Sequence, residues 1–463
     1  MNSIISTQNN DTMQRPPTEE TVVEGEDIIS KLHESILCHI LSFLPIIEAV
    51  HTCVLSKRWI YVWKSLTVLR FNDALHCFGR QMQKEQFMCF VNRLLLQPAN
   101  SSVQSLSLCL TSYNYDASLV SSWISSILER GVQKLHIQYA DKVLFPFQTL
   151  FSCSSLVQLM LQMKCKISLP IFASLPNLQT LSLSGIMLAS ESSTYSKYLI
   201  LSFPLLKVFE ARGCEWQIKQ NISIEAPLLE RFSIATWRSL SNESLKPSIK
   251  IFAPYLADFS YEGDIEQDIT LLNSSSVRSA SVVIVIEDKK DRMEKIGFQV
   301  HKLLAQIRDV EQMKLLFYKV LIHAKDIFTH LPAFGRLTYL QLNEVTGEAL
   351  LNILHNSPIL NTLVLLNGIS ELYKDVLTSA SVPQCFLTSF KDFQFKEFTG
   401  HENELLLAKF VMANAVILEK MIMCTAFWLR YSDINMENVK GQILSFPKCS
   451  NSVIIEISNV NCI

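Results

Sequence analysis

The sequence predicts an α/β protein: a small three-helix domain at the N-terminus, then a long array of strand and helix repeats that ends in a terminal unit. Three observations predict it. A wide apolar stripe recurs at helical spacing between Ser30 and Pro45, a six-residue apolar frame recurs thirteen times between residues 103 and 423, and helical patterns separate several frames. At 463 residues the chain is too long for one ordinary core, which an extended array accommodates.

Composition and charge limit the functional class. With 49% hydrophobic residues the chain can bury a large core, and a net charge of -2 provides no overall field that attracts nucleic acid or an anionic membrane. Apolar runs such as 281–286 are too short to span a bilayer. Residues 1–26 predict a disordered polar tail without signal-peptide features. We expect no nucleic-acid partner, no membrane partner, and a cytoplasmic and/or nuclear location, where the twelve cysteines stay mainly buried thiols.

The first element is an amphipathic helix ended by Pro45, which has no N–H and clashes with the preceding turn. At 100° per residue its apolar side chains fill one arc about 160° wide. They are Ile36, Leu37, Ile40, Leu41, Phe43 and Leu44. This arc is wider than a two-helix seam requires, so more than one neighbour must cover it.

Two further helices complete the N-terminal domain. Residues 46–55 predict the second helix, and Ser56 is a candidate N-cap for the third, in which Trp59 and Trp63 share a face because they lie four residues apart. Three short helices form a core that is marginal alone. The residues therefore leave two interpretations open: the surplus apolar face docks onto the rest of the chain, or onto another protein.

The stretch from Asp27 to Asp73 contains "D-x-I-S-x-L", "ILCHILSFLP", "EAV", "LSKRW" and the second tryptophan in "VW". Together these features resemble an F-box, of the plant type that precedes leucine-rich repeats. The resemblance implies binding to the Skp adaptor of a Skp-cullin-F-box ubiquitin ligase, and through the adaptor to a cullin. It also implies nine adaptor-binding residues, with some of them expected to be internal core instead: Leu32, Ile36, Leu37, Ile40, Leu41, Leu44, Leu55, Trp59 and Trp63.

Two positions depart from the family pattern. His33 stands where the family usually has proline, and His51 where it often has arginine. Loss of a residue that fixes φ reduces preorganisation, and with it the expected adaptor affinity. The alternative function is therefore a non-degradative repeat scaffold whose F-box no longer binds the adaptor strongly.

The middle of the chain, residues 74–380, predicts an irregular leucine-rich-repeat solenoid. Each frame is an aliphatic residue, two others, an apolar residue, one other and an apolar residue, as in "LQTLSL" from Leu178. Between the first and last frames the mean step is about 26 residues, within the range of such repeats. The thirteen frames begin at Val103, Val132, Leu156, Leu178, Leu206, Leu229, Leu256, Val277, Val310, Leu337, Leu360, Phe390 and Leu418.

Proline and helical patterns support the repeat. Proline lies two residues before five of the frames, at Pro176, Pro204, Pro227, Pro254 and Pro358, where it predicts a strand entrance. Residues 117–131 and 346–358 predict helices between frames, the first ending at a glycine. Steps vary from 21 to 33 residues and the Asn or Cys of the repeat consensus is mostly absent, so a generic strand–helix array or a doubly wound sheet stays open.

Alternate residues of the stacked strands predict one continuous inner surface, the usual binding face of a curved solenoid. We expect an unknown protein substrate there, although mixed charge is equally typical of any solvated strand face. The candidate substrate-binding residues are Lys134, His136, Glu210, Arg212, Arg231, Asp258, Glu262, Tyr339, Gln341 and Asn343.

The last part of the chain predicts a strand, a helix near 402–417 and two more strands. It contains "VPQCFLTSFKDFQFKEFTG" from Val382 and "LSFPKCSNSVIIEI" from Leu444, which resemble the FBD region of many plant F-box and repeat proteins. We assign 381–463 to this region, as the unit that closes the solenoid. No phosphate loop, H-E-x-x-H, G-x-S-x-G or metal-ligand set is present, so we expect no catalytic residues, no metal and no cofactor. The predicted function is substrate recognition within the ligase.

Overall fold

The structure is a computed structural model. It describes residues 28–74, 84–96, 103–111, 115–143, 145–190, 196–218, 220–236, 248–263, 268–285, 293–318, 331–343, 345–370, 372, 377, 381–426 and 436–458. The chain divides into two compact units, Met1–Leu66 and Thr67–Ile463. The predicted tail at 1–26 and Asp27 lie outside the described residues.

The N-terminal unit is a cluster of short helices. The predicted second and third helices are shorter than expected, and each continues as a 3-10 turn, at Thr52–Val54 and Trp63–Ser65. Ser56 contributes only its carbonyl, which accepts from the Trp59 N–H at 3.1 Å. The α-helices are α1 (Ile28–Lys31), α2 (Glu34–Ser42), α3 (Ile46–His51) and α4 (Trp59–Val62).

The second unit is mainly parallel β-sheet. Its strands in the described residues are β1 (Val68–Asn72), β2 (Ser105–Leu110), β3 (Lys134–Val143), β4 (Gln158–Leu169), β5 (Phe172–Ser174), β6 (Thr180–Ser184), β7 (Met187–Ser190), β8 (Tyr198–Ser202), β9 (Val208–Arg212), β10 (Glu215–Gln217), β11 (Asn221–Glu225), β12 (Arg231–Ala235), β13 (Ile249–Phe252), β14 (Asp258–Gly263), β15 (Ile269–Leu272), β16 (Ser279–Val285), β17 (Gln312–Tyr318), β18 (Tyr339–Leu342), β19 (Val345–Thr346), β20 (Thr362–Leu365), β21 (Ile369–Ser370), β22 (Asp392–Phe398), β23 (Lys420–Thr425) and β24 (Ile454–Ser458).

Each of the thirteen sequence frames forms one strand of the main sheet, and the strand begins two residues after the frame does. The strands pair in parallel and in chain order, with the fourth frame residues directly opposite one another: Leu181 faces Phe209, and Phe209 faces Phe232. These residues are buried, whereas the alternate residues of the same strands are more exposed. The predicted leucine-rich-repeat-like parallel sheet is therefore observed.

The sheet extends beyond the predicted frames at both ends. Strand β1 pairs with β2, so "LTVLRF" from Leu66 forms an additional first unit. The division between the two compact units falls before Thr67. At the other end β24 pairs with β23, and Ile454 on this last strand is exposed.

The repeated prolines occupy tight turns just before the strands. In the unit at Pro176 the Leu178 N–H donates to the Leu175 carbonyl at 3.2 Å, which places proline at the second position of a four-residue turn. The turns at Pro204, Pro227, Pro254 and Pro358 contain the same bond at 3.1–3.2 Å. Proline fits this position because the turn requires φ near −60° and uses no N–H there.

The outer layer differs from the prediction in the middle of the array. Helices were expected between several frames, with 117–131 and 346–358 as the named segments; between β4 and β16 the connections form a second parallel sheet, in the order β15-β13-β11-β8-β5. Its strands show strict alternation, as in Ile222 and Ile224 or Ile249 and Ile251, whose side chains are buried. Of two further short strands, β7 pairs with the second half of β4 and β10 pairs with β7.

Helices form the outer layer toward the two ends. As predicted, the helix from Ala117 ends near Gly131, which has φ +72°, and Asp116 caps its start by accepting from the Ser118 N–H at 2.8 Å. The helices are α5 (Lys84–Leu96), α6 (Ala117–Glu129), α7 (Phe147–Ser152), α8 (Met293–Gln306), α9 (Gly347–His355), α10 (Gln384–Thr388), α11 (Glu402–Asn414) and α12 (Met436–Leu444).

Candidate protein-docking surfaces

Helix α2 divides its apolar arc between the interior and the surface. Leu37 and Leu41, at 100° and 140° on the helical wheel, are buried against the neighbouring helices. The rest of the arc, from 340° through 0° to 80°, is exposed. Its members are Phe43, Ile36, Ile40 and Leu44. The excess width of the arc is therefore explained: one part fills the unit's own core and the other part remains open.

The nine predicted adaptor-binding residues fall into two groups. Trp59 is only 5% exposed and, with Leu37 and Leu41, belongs to the core, so these three side chains are not available to a partner in this conformation. The group that can reach a partner is exposed or half-buried; it consists of Leu32, Ile36, Ile40, Leu44, Leu55 and Trp63. Their contact with an adaptor stays a prediction.

Several exposed apolar side chains of the same unit were not predicted as contacts. Val54 is 83% exposed, Tyr61 67% and Phe43 65%, and Ile28 and Ile29 are also open. Phe43 was on the predicted apolar arc, so its position was detectable from helical spacing. Val54 and Tyr61 could not be separated from core residues, since short apolar runs carry no signal of which neighbours cover them.

His33 starts helix α2. Its backbone is extended, at φ −63° and ψ 147°, and its Nδ1 accepts from the Ser35 N–H at 3.3 Å. The Arg58 guanidinium from the third helical segment donates to the Leu32 carbonyl. The segment that leads into the helix is thus held by a side-chain cap and by a contact across the unit.

The second surface is the polar face of the main sheet. The predicted inner-face residues lie on it in three separate groups rather than in one cluster. Lys134 and His136 are on β3, five charged residues are on β9, β12 and β14, and Tyr339 and Gln341 are on β18. Asn343, which follows β18, is 3% exposed and therefore does not belong to the accessible face.

The central group contains opposite charges in register. Arg231 and Asp258 face each other across β12 and β14 with Nε and Oδ2 3.5 Å apart, and Glu210 and Arg212 form a pair at 3.6 Å along β9. Glu262 adds a third carboxylate at the end of β14. Exposed ion pairs contribute little to the free energy of folding. Breaking these pairs to form new ones with a bound molecule would therefore cost little.

The two flanking groups are mostly internally hydrogen-bonded. His136 Nδ1 lies 3.4 Å from the Ser107 hydroxyl on β2, and burial lowers the pKa of this imidazole, which favours the neutral form. Tyr339 donates to the Gln341 side-chain oxygen at 3.1 Å. These groups offer hydrogen-bonding atoms on either side of the charged centre, and the exposed Lys134 adds a positive charge to the first of them.

The described residues were also compared with metal sites, membrane spans, reactive thiols and cavities. No three His, Cys, Asp or Glu side chains within them lie close enough to hold a metal ion, and no helix within them is long and apolar enough to span a bilayer. Of the ten described cysteines five are buried, and burial raises the pKa of Cys165 and Cys385 to about 12. An interior cavity of about 40 Å³ is lined by leucine, isoleucine, phenylalanine and tryptophan alone.

A small helical unit with a half-buried apolar arc, followed by a parallel sheet with one strand per repeat, defines a modular repeat protein. A family model described as the F-box domain matches residues 29–71, and one described as FBD matches residues 378–423. An F-box/FBD/LRR-repeat protein of Arabidopsis thaliana is 30% identical over 437 residues, which cover 92% of this chain and 93% of that protein. A putative F-box/FBD/LRR-repeat protein of the same plant is 28% identical over 449 residues, which cover 93% of this chain and 97% of that protein. An FBD-associated F-box protein of the same plant is 26% identical over 84% of this chain and 90% of its own. The chain belongs to the F-box/FBD/LRR-repeat family, as the sequence motifs predicted.

Proposed function

We propose that this chain is the substrate-recognition subunit of a Skp-cullin-F-box ubiquitin ligase. The N-terminal unit docks a Skp-type adaptor, and through the adaptor a cullin, while the repeat unit binds a protein substrate. The chain itself then makes and breaks no bonds; it raises the effective concentration of a bound protein near a ubiquitin-charged enzyme. Its site of action in this proposal is the cytoplasm and/or the nucleus.

The observation that carries the proposal is the exposed part of the α2 arc. The unit already has a core, filled by Leu37, Leu41 and Trp59, yet Ile36, Ile40 and Phe43 remain open beside it. Burying a large aliphatic or aromatic side chain releases about 1.5–3 kcal/mol, so a surface with several of them is costly to leave in water. A partner with an apolar groove would recover this free energy.

We also propose that the ordered strands form a solenoid whose polar face binds the substrate. The unbroken chain-order pairing from β1 to β24 supports a single repeating array. Paired charges at the centre of the face, with Lys134 and hydrogen-bonding side chains on either side, suit a folded protein surface of mixed charge rather than a polyanion.

The test uses the purified full chain and a plant Skp-type adaptor in isothermal titration calorimetry. We expect binding, and we expect the double variant Ile40→Ala, Leu55→Ala to weaken it at least tenfold, since each lost anchor typically costs ~1 kcal/mol or more. Thermal unfolding should be unchanged because both side chains are exposed. Trp59→Ala is unsuitable, as it removes core packing.

A matched control is Phe298→Ala, which removes an exposed aromatic side chain from α8 of the repeat unit. It should leave adaptor binding unchanged. If the wild-type chain is folded and forms no complex at micromolar concentrations, the ligase proposal is rejected and the repeat-scaffold alternative takes its place.

A further inference from the structure

We propose that His33 is the positioning residue of the adaptor-docking helix: its neutral imidazole caps helix α2 and holds the first turn, with Ile36, in the docking conformation. This inference rests on the proposed adaptor function and extends it, because it assigns a role to the residue that departs from the family pattern. It also makes docking sensitive to pH.

The backbone at His33 already has the conformation that proline would impose. Its φ of −63° lies within the range that the proline ring fixes, about −65 ± 15°. Its carbonyl accepts from the N–H groups of Ile36 at 3.0 Å and Leu37 at 3.2 Å, which closes the first helical turn. Histidine at this position therefore leaves the entry of the helix unchanged, although it does not fix φ covalently.

The side chain adds what proline cannot supply. Nδ1 accepts from the Ser35 N–H at 3.3 Å and lies 2.8 Å from the Ser35 hydroxyl. One of the first N–H groups of the helix, which has no partner within the helix, is thereby satisfied. A cap and a proline stabilise a helix start by comparable amounts, so the histidine offsets the loss of the proline.

The cap requires an uncharged ring. Nδ1 can accept only while it carries no proton; after protonation both ring nitrogens are donors, and Nδ1 would face the Ser35 N–H and the positive end of the helix. The charged groups around this site are Glu34 in the first turn, Lys31 on α1, and Arg58 on the Leu32 carbonyl. Ser65, the last residue of the 3-10 turn that follows α4, donates its hydroxyl to Glu34 Oε1 at 3.5 Å.

The exposed anchors depend on this start. Ile36 lies in the first turn and Ile40 one turn further on, so fraying of residues 34–37 displaces one anchor and loosens the second. Only chains with a closed first turn bind, so the apparent affinity for the adaptor is proportional to the fraction of chains in which this turn is closed. Loss of an N-cap corresponds to roughly a fivefold change in this opening equilibrium, which is also the largest loss of affinity that it can cause.

The experiment measures adaptor affinity of the full chain at about pH 7.5 and about pH 5.5, a range in which histidine commonly changes charge. Each variant is compared with wild type at the same pH, which cancels titration of the adaptor itself. We expect His33→Ala to be weaker than wild type at the higher pH, by up to about fivefold, and equal to it at the lower pH. His33→Asn, a strong cap without a titrating group, and His33→Pro should match wild type at the higher pH and exceed it at the lower pH.

His39→Asn is the matched control, since His39 is exposed on the same helix and contacts Phe43 rather than the helix start. It should retain the wild-type pH dependence. The inference is overturned if His33→Ala equals wild type at both pH values. It is also overturned if His33→Asn and His33→Pro are as weak as His33→Ala, because the adaptor would then recognise the imidazole directly.

A measurement without adaptor separates this inference from the proposed function. In the full chain labelled with ¹⁵N-histidine, the His33 signals are those lost in His33→Asn. A tautomer with the proton on Nε2 and an unprotonated Nδ1 supports the cap whether or not the adaptor binds. A proton on Nδ1 at neutral pH refutes the cap even if the adaptor does bind.

Discussion

Glu404 holds the start of helix α11, and replacing it by alanine should open that start. The carboxylate is buried, and its Oε2 accepts from the Thr399 N–H at 2.8 Å, the Thr399 hydroxyl at 2.9 Å and the Gly400 N–H at 2.8 Å. Alanine leaves two backbone N–H groups and a hydroxyl without this acceptor. At about 1–3 kcal/mol for each unsatisfied buried group, less the cost of burying the charge, we expect a loss of about 3 kcal/mol.

Hydrogen exchange with mass spectrometry measures this loss locally. A peptide that covers residues 396–412 should exchange on the order of 100-fold faster in Glu404→Ala, because each 1.4 kcal/mol is about a factor of ten. Glu404→Gln keeps one acceptor oxygen and should lose about half as much. Glu402→Ala is the matched control, an exposed carboxylate on the same first turn, and should change the free energy of opening by about 0.5 kcal/mol or less.

Gly368 provides an independent check of the same contact. A Cβ added at this position would lie 2.8 Å from Glu404 Oε1. Gly368→Ala should therefore destabilise the wild-type chain and cost much less in the Glu404→Ala background, a coupling that a double-mutant cycle detects. Unchanged exchange in Glu404→Ala, or strictly additive effects of the two substitutions, would refute the reasoning.

Three further predictions concern the repeat unit. Phe232 is buried and stacks on Phe209 and Phe259, with ring centroids 5.0 Å and 6.1 Å apart. Phe232→Ala should therefore lower the free energy of unfolding by about 3–5 kcal/mol, and Phe232→Leu by about 1.5 kcal/mol or less. Thermal unfolding that does not separate the two variants would contradict this prediction. In the native chain at about pH 8, iodoacetamide should alkylate the exposed Cys89 and Cys449. It should not alkylate Cys165 or Cys385, because burial raises the pKa of each of these thiols to about 12. Peptide mass spectrometry should find Cys165 and Cys385 modified only after unfolding. Burial lowers the pKa of His136, so as the pH falls the unfolded chain takes up a proton before the folded chain does. The free energy of unfolding should therefore decrease as the pH drops below the unfolded-state pKa of ~6.5. Urea unfolding of His136→Gln should show a weaker dependence of this free energy on pH, and an equal dependence would contradict the prediction.

The strands could be predicted from the sequence because each frame combines two buried alternate positions with a recurring period. At Leu178 the pattern identifies both the strand and its buried residues Leu181 and Leu183, as observed. The unit at Leu66 was missed because its frame adjoins the F-box motif and was assigned to it. A local pattern does not reveal which domain covers a strand.

The second sheet was also missed, although a signal for it exists. Leu199 with Leu201 and Ile269 with Leu271 alternate at period two, which is typical of a strand rather than a helix. These segments have only four or five residues, too few for periodicity alone to identify. Longer connections, such as the one that contains α6, allow a helix and were identified correctly.

The docking surface could be predicted only in part. Helical spacing identified the arc of α2 but could not divide it, since Leu37 and Ile36 are equally apolar and only packing decides which is covered. Trp59 is among the predicted contacts because the F-box resemblance implies it, and its burial likewise depends on packing. The inner-face candidates were identified by alternation, and burial of Asn343 depends on neighbours that no local pattern specifies.

The in-register pairing of the strands has a consequence for how such chains can change in length. Arg231 is opposite Val208 on one side and Asp258 on the other, so removal of residues 229–255 would bring Val208 opposite Asp258 and Phe209 opposite Phe259. Aromatic contact across the new junction would be preserved. Whole repeats can thus be gained or lost by recombination without changing the pairing register of the remaining strands. The number of strands in the array can then vary while its first and last units stay the same.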